Sequence, residues 1–176
     1  NSGLMVVAKT QEAYENLVAQ FKKRIVKKIY RTLVVGKLSS ESGIIESSIA
    51  RSSNDRKRMA VVSHGGREAM SIYQVKDLFR YGDYFLSLLS VEIKSGRTHQ
   101  IRVHFSSVRH PVLGDNLYGS RKMNKFFQNK LGIKRQFLHA SELKFRSPET
   151  NKEVIVKSKL PEDLAFVLEN LKLFKV

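Results

Sequence analysis

Apolar positions recur along this chain first at period two and then at helical spacing, and the two patterns succeed one another with no linker between them. The opening run LMVVA, residues 4–8, predicts a short buried strand. Thr10 then stands where it can cap a helix that carries Tyr14, Leu17, Val18 and Phe21 on one face. RIVKKIYRTLVVG, ending at Gly36, predicts a long strand with Ile29, Leu33 and Val35 on one side and Tyr30, Thr32 and Val34 on the other. Residues 37–66 have little pattern; RSSNDRKRMAVVSHGG predicts a mobile basic excursion with one brief strand and a Gly-Gly turn. REAMSIYQVKDLF and DYFLSLLSVEI predict antiparallel neighbours joined through RYGD. Thr98 is a good N-cap for a helix in which Ile101, Phe105 and Val108 recur at i, i+4 and i+7. FLHASELKF and KEVIVKS predict a further strand pair around RSPETNK, and Pro161 starts a terminal helix with Leu164, Leu168 and Leu171 inward. There is no internal repeat. The expected class is α+β, a mixed, largely antiparallel sheet with flanking helices, in one domain over residues 1–176.

Composition sharpens this picture at few points. The chain has 176 residues, 41% of them apolar, which is enough to bury a core. It carries 32 basic against 16 acidic residues, a formal net charge of +16, with the excess spread along its length. That favours a polyanion, most simply nucleic acid, although a basic surface selected for solubility would read the same way. The absence of cysteine excludes disulfides, thiolate metal sites and a cysteine nucleophile. No apolar run approaches the roughly 18 residues of a membrane span and no signal peptide opens the chain, so no membrane is expected and a cytoplasmic location is the default. The histidines, His64, His99, His104, His110 and His139, do not form a metal set: His99 and His104 are five apart, off the i, i+4 face of a helical zinc pair. No metal is expected.

The densest chemistry lies in SGRTHQIRVHF, residues 95–105, where apolar Ile101, Val103 and Phe105 thread through two arginines and two histidines. Helical spacing sets Arg102 beside His99 and Gln100 near a helix amino end, where free N–H groups favour a carboxylate or a phosphate. The alternative is that Arg97 and Arg102 pair with acids and hold strand to helix. Charge also gathers at Lys22, Lys23, Arg24, Lys27 and Lys28, at Arg51, Arg56, Lys57 and Arg58, and at Arg121, Lys122, Lys125, Lys130, Lys134 and Arg135. Each cluster is either a nucleic-acid contact or a solvated face.

GRTHQIRVHF followed by HPVLGDNLYG and FLHASELKFRSP, with KKIYRTLVVGK upstream, resembles the RluA-type family of RNA pseudouridine synthases, and the match runs from Ser2 to about Leu164. The resemblance implies a pseudouridine synthase fold with a central RNA-binding cleft and isomerisation of uridine in structured RNA, ribosomal or transfer, by a monomer needing neither cofactor nor metal. It assigns Tyr30 to the active-site tyrosine that stacks on the flipped base, and Arg102 to the arginine that pairs with the nucleophilic aspartate. Arg97, Thr98, His99 and Gln100 are expected to brace loop and helix, with phosphate contact by Arg97 a further possibility, and His139 is expected as a hydrogen-bonded core histidine. Lys27, Lys28, Arg56, Lys57, Arg58, Arg97, Arg121 and Lys122 are the expected RNA-binding residues, and residues 51–58 and 120–135 are expected as loops beside the cleft. Of the family's block His-Arg-Leu-Asp-x-x-Thr-Ser-Gly only Ser2 and Gly3 match, with Asn1 at the threonine. The nucleophile is therefore expected three positions before Asn1, and the chain by itself is expected to be an inactive catalytic domain lacking its N-terminal part. None of Asp55, Asp77, Asp83, Asp115 and Asp163 has the nucleophile's context, and Asp115 reads most simply as a turn residue. The competing reading is a non-catalytic RNA-binding or ribosome-assembly module with the same fold.

Overall fold

β6 (Tyr84–Ile93) is buried on both faces, and the molecule is built around it. Leu86 and Leu88 point to one side and Leu89, Val91 and Ile93 to the other, so the two halves of its alternation feed two separate cores. The computed structural model describes residues 2–176. Antiparallel neighbours of β6 are β5 (Arg67–Tyr81), joined through the turn at Gly82 and Asp83, and β2 (Lys27–Val35). Outward from β5 lie β3 (Ser42–Arg51) and β4 (Met59–Val62); outward from β2 lies β7 (Leu138–Arg146). The far edge of β7 is shared. Its first residues pair in parallel with β1 (Ser2–Gly3), and its second half pairs antiparallel with β8 (Glu153–Lys157). The result is an eight-stranded mixed sheet, antiparallel everywhere except at β1, as the class reading expects.

Helices α3 (Arg121–Leu131) and α4 (Glu162–Leu171) cover one face, where Phe127, Leu131, Leu164, Val167 and Leu171 meet Leu33, Leu86 and Leu88. Helix α2 (Gln100–Ser107) covers the other, where Ile101 and Phe105 pack on Val34, Leu89, Val91 and Leu138. Tyr30 lies against this second cluster, as the period of β2 predicts. Helix α1 (Gln11–Lys22) is capped by the Thr10 hydroxyl, which accepts from the Ala13 N–H.

Several expectations are corrected. Residues 4–8 form no buried strand: after the Leu4 N–H bonds the Ala140 carbonyl the run joins no ladder, and Met5 and Val7 are 83% and 73% exposed. On α1 the buried positions are Leu17 and Gln20, while Tyr14 and Phe21 stay exposed. Residues 42–51, read as weakly patterned, form the ten-residue strand β3; Ser47 between Ile45 and Ile49 on the inner face, and exposed Ile44 on the outer one, blur the alternation of an edge-side strand. Thr98 does not cap α2. The N-cap is His99, in the left-handed region at φ 55°, and Val108 is 40% exposed. Residues 121–131 are helix rather than loop, with Ser120 as N-cap and left-handed Gly132 as C-cap.

Candidate active site

Antiparallel pairing places Tyr30 opposite Val91 on one side and Ala140 on the other, and Ala140 in turn faces Gly3. A register shift in the β2–β7 ladder between Ile29 and Tyr30 bends the strand where the phenol leaves it. Gly3 is obligatory in this arrangement. Its φ is +110°, and a Cβ there would sit 2.2 Å from the Ala140 carbonyl oxygen, so no other residue lets β1 approach β7 this closely. Ser2 is tied down beside it, donating to His139 Nδ1 (3.0 Å) and accepting from Arg135 Nη2 (3.2 Å).

Tyr30 and Arg102 line one small cavity, together with Arg97, His99, Ile93 and Leu138. The turn from β6 into α2 is what brings them there. Buried Gln100 accepts from the Ser95 hydroxyl (2.8 Å) and the Arg97 N–H (3.1 Å), and donates to the Met70 carbonyl (2.9 Å) and Ser71 Oγ (3.1 Å). All four bonds of its amide lock the turn, so Gln100, with the Arg97 backbone, braces loop and helix. Arg97 donates through Nε to the Glu68 carbonyl (3.0 Å). Burial, then the charges of Arg67 and Arg24, lower its pKa from the ordinary guanidinium value. The phenol of Tyr30 is pushed above its usual pKa by burial, so it stays neutral and able to donate at physiological pH.

Arg102 has a carboxylate partner that the sequence pattern did not identify. Its Nε and Nη2 donate to the two oxygens of Asp115 at 2.6 and 2.8 Å, and Asp115 is fully buried. Asp115 does make the expected turn, accepting from the N–H groups of Leu117 (2.9 Å) and Tyr118 (3.0 Å), but the turn also delivers an anion to Arg102. Burial raises the Asp115 pKa, and the Arg102 hydrogen bonds, the two N–H donors and the Arg102 charge together more than reverse it, leaving it below the ordinary value. The guanidinium also lies over the Tyr118 ring at 4.9 Å. The Tyr118 hydroxyl accepts from the Met59 N–H (2.8 Å) and shares a hydrogen bond with His99 Nδ1 (2.9 Å). Arg102 is thus fixed from two sides, while its Nη1 makes no hydrogen bond among the described residues. The one sequence signal for this was an acid within LGDNLYG, directly after the QIR helix.

The expected RNA-binding residues divide. Lys28 stands on β2 beside Tyr30, its pKa lowered by burial and then by the Arg97 charge. Lys27 is paired with Glu92 at 3.2 Å. Arg56, Lys57 and Arg58 are exposed in the β3–β4 connection, with Arg58 paired to Asp55 at 3.2 Å. Arg121 and Lys122 are exposed in the first turn of α3, which packs on the face opposite Tyr30, and they line no part of the Tyr30–Arg102 cavity. Arg135 is held by Asp163 at 2.7 and 3.1 Å. Asn1 lies outside the described residues, which include no group of acids and histidines able to hold a metal. His139 is 2% exposed and, with Nδ1 accepting from Ser2, donates from Nε2 to the Ser158 carbonyl at 3.3 Å. Among the described residues no helix is long and apolar enough to cross a membrane.

Comparison with known proteins gives one answer. The family model described as RNA pseudouridylate synthase matches residues 1–107. An uncharacterized RNA pseudouridine synthase of Chloroflexus aurantiacus is 42% identical over 170 residues, covering 97% of this chain and 50% of the relative. The ribosomal large subunit pseudouridine synthase D of Pseudomonas aeruginosa is 40% identical over 177 residues, covering 97% of this chain and 53% of the relative. The solved structure of human RNA pseudouridylate synthase domain containing 1 superposes with a TM-score of 0.75 at 27% identity, over 88% of this chain and 63% of that one. The chain spans about half the length of the curated relatives it matches.

Proposed function

The chain belongs to the RNA pseudouridylate synthase family, and from that premise we propose that it forms the catalytic domain of an enzyme that isomerises uridine in structured RNA, ribosomal or transfer, acting as a monomer. The reaction breaks the bond between N1 of the base and C1′ of the ribose, turns the base, and joins C5 to C1′. C5 then loses its hydrogen as a proton and N1 gains one. The observation that carries the reading is the meeting of Tyr30 and Arg102 in one cavity. The Tyr30 ring supplies a face for the extruded base and a neutral phenol beside it. Arg102, anchored through Nε and Nη2 on Asp115, is left with Nη1 for a second anion, the attacking aspartate. A guanidinium in that place lowers a carboxylate's pKa by about 1 to 3 units and holds the nucleophile ionised.

By the family pattern that aspartate is three positions before Asn1. β1 runs parallel to β7 with Ser2 opposite His139, the residue next to Leu138, which lines the cavity. The test is release of tritium from C5-labelled uridine in bulk ribosomal and transfer RNA. The full-length protein should release it in one of the two pools, and the 176-residue chain alone should not. Full-length protein that binds RNA and releases none would replace the synthase by an RNA-binding module; turnover by the isolated chain would mean that the nucleophile is misplaced.

A further inference from the structure

Tyr30 lines two cavities, and only one of them contains Arg102. The second, of about 250 Å³, is bounded by Tyr30 and Lys28 of β2, Leu143 of β7, Phe21 of α1, and Leu4 and Val6 of the segment that follows β1. Its character differs from the first: hydrocarbon and two aromatic rings, Phe21 and Tyr30, surround one cation and one carboxylate. Phe21 is 41% exposed, and Lys28 Nζ lies 5.5 Å from the centre of its ring. The Lys28 ammonium makes no ion pair or hydrogen bond among the described residues, although the Glu142 carboxylate is in the same wall; Glu142 is turned to Lys157 at 3.6 Å. Residues 4–8 alternate between half-buried and exposed, with Leu4 anchored by its N–H on the Ala140 carbonyl at 3.0 Å. An open, largely apolar slot with a cation at its rim adjoins the candidate active site through a shared aromatic wall, Tyr30.

We propose that this cavity is a second nucleotide subsite, taking the base next to the target uridine, stacked on Phe21, with the phosphate between the two nucleotides lying against Lys28 and Arg97. A base extruded from its stack leaves its neighbour without a partner, and an aromatic side chain beside the flipping pocket replaces what was lost. The occupant is a nucleotide rather than an apolar peptide because the charged groups at this wall are Lys28 and a Glu142 already turned to Lys157, in a chain of net charge +16, and a phosphate reaching toward the neighbouring cavity relieves the mutual repulsion of Lys28 and Arg97. The subsite rests on the synthase reading, since it needs a flipped uridine on the other side of Tyr30.

The test uses full-length enzyme and the RNA from which it releases tritium. In that RNA the nucleotide 5′ or 3′ of the target uridine is replaced in turn by 2-aminopurine or by an abasic residue, and Phe21→Ala and Phe21→Leu enzymes are compared with the parent. At one of the two positions 2-aminopurine fluorescence should be quenched on binding, and both variants should lose the quench. Removing the base or the Phe21 ring should each weaken binding roughly 10-fold, as for one base–aromatic stack, and removing both should cost no more than either alone. Phe21→Leu keeps the face of α1 apolar, so it reads the loss of the ring without a loss of folding. Additive losses, or a quench that survives both variants, would overturn the subsite while leaving the synthase standing. Absence of tritium release by the parent enzyme in any RNA would remove the synthase reading itself.

Discussion

Arg102 holds the fold and the candidate chemistry at once, and the two can be separated by substitution. Arg102→Met leaves the buried Asp115 carboxylate with only the Leu117 and Tyr118 N–H groups. Breaking a buried pair this way costs about 3 to 5 kcal/mol, and the remaining backbone donors place the expected loss near the lower end. Because the folded-state pKa of Asp115 lies below its ordinary value, its contribution is present above the usual carboxylate range and lost as pH falls through the folded value. Without Arg102 that pKa rises. The melting temperature of Arg102→Met should therefore lie furthest below the parent at neutral pH, and the gap should narrow as pH falls through the carboxylate range; a gap independent of pH would mean that Asp115 is not the partner that matters. Arg102→Lys keeps a charge but not the fork, so single-turnover isomerisation should fall steeply while RNA affinity changes little. Lost affinity with an unchanged rate at saturation would make Arg102 a phosphate contact. The residue was legible in QIR by resemblance. Its partner was not, since Asp115 lies 13 positions away and its burial is set by the fold.

At the scale of elements, α2 is the piece that carries Arg102, and a buried histidine locks it to the sheet. Ser71 Oγ, taking a hydrogen bond from Gln100, donates to His104 Nδ1 at 2.9 Å, and His104 Nε2 in turn donates to Ser47 Oγ at 3.1 Å. This joins α2 to β5 and β3. Burial lowers the His104 pKa from 6.5 to about 4. A depressed histidine binds its proton more readily when unfolded, so its stabilising share is complete above about pH 6.5 and is lost as pH falls toward 4, up to roughly 3 kcal/mol. His104→Gln should flatten the fall in melting temperature between those pH values, and an unchanged slope would place the acid sensitivity elsewhere. Packing of the same helix gives a reference: Phe105 is fully buried, and Phe105→Ala should cost about 3 to 5 kcal/mol with no pH signature.

For the whole molecule, charge decides how RNA is met. Binding should weaken as salt rises, with log K falling by roughly 0.7 to 0.9 per neutralised phosphate for each tenfold increase. Lys28 and Arg97 make no carboxylate pair among the described residues, whereas Lys27 and Arg58 are held by Glu92 and Asp55. Lys28→Ala and Arg97→Ala should each lower the salt slope by close to one phosphate's worth, and Lys27→Ala and Arg58→Ala by less. Equal effects from all four variants, measured as binding isotherms across a salt series, would show that the RNA is attracted by net charge without a defined path over Tyr30.

Periodicity alone determined most of the sheet. In β2, β5, β6 and β7 side chains alternate because each strand faces two different environments, and that alternation is a local property that the order of residues carries in full. It also settled that Tyr30 and Leu33 face opposite layers. It did not reveal β3, whose alternation Ser47 and exposed Ile44 blur, nor α3, whose basic surface hid an apolar stripe of Phe127 and Leu131. Nor could it give the pairing of Arg102 with Asp115, the approach of Gly3 to Ala140, or the open slot between Phe21 and Tyr30. Each of these depends on a distance between segments remote in sequence. Residue order constrains which groups are available for such contacts, while burial, register and backbone approach decide which of them meet, and those belong to the folded chain alone.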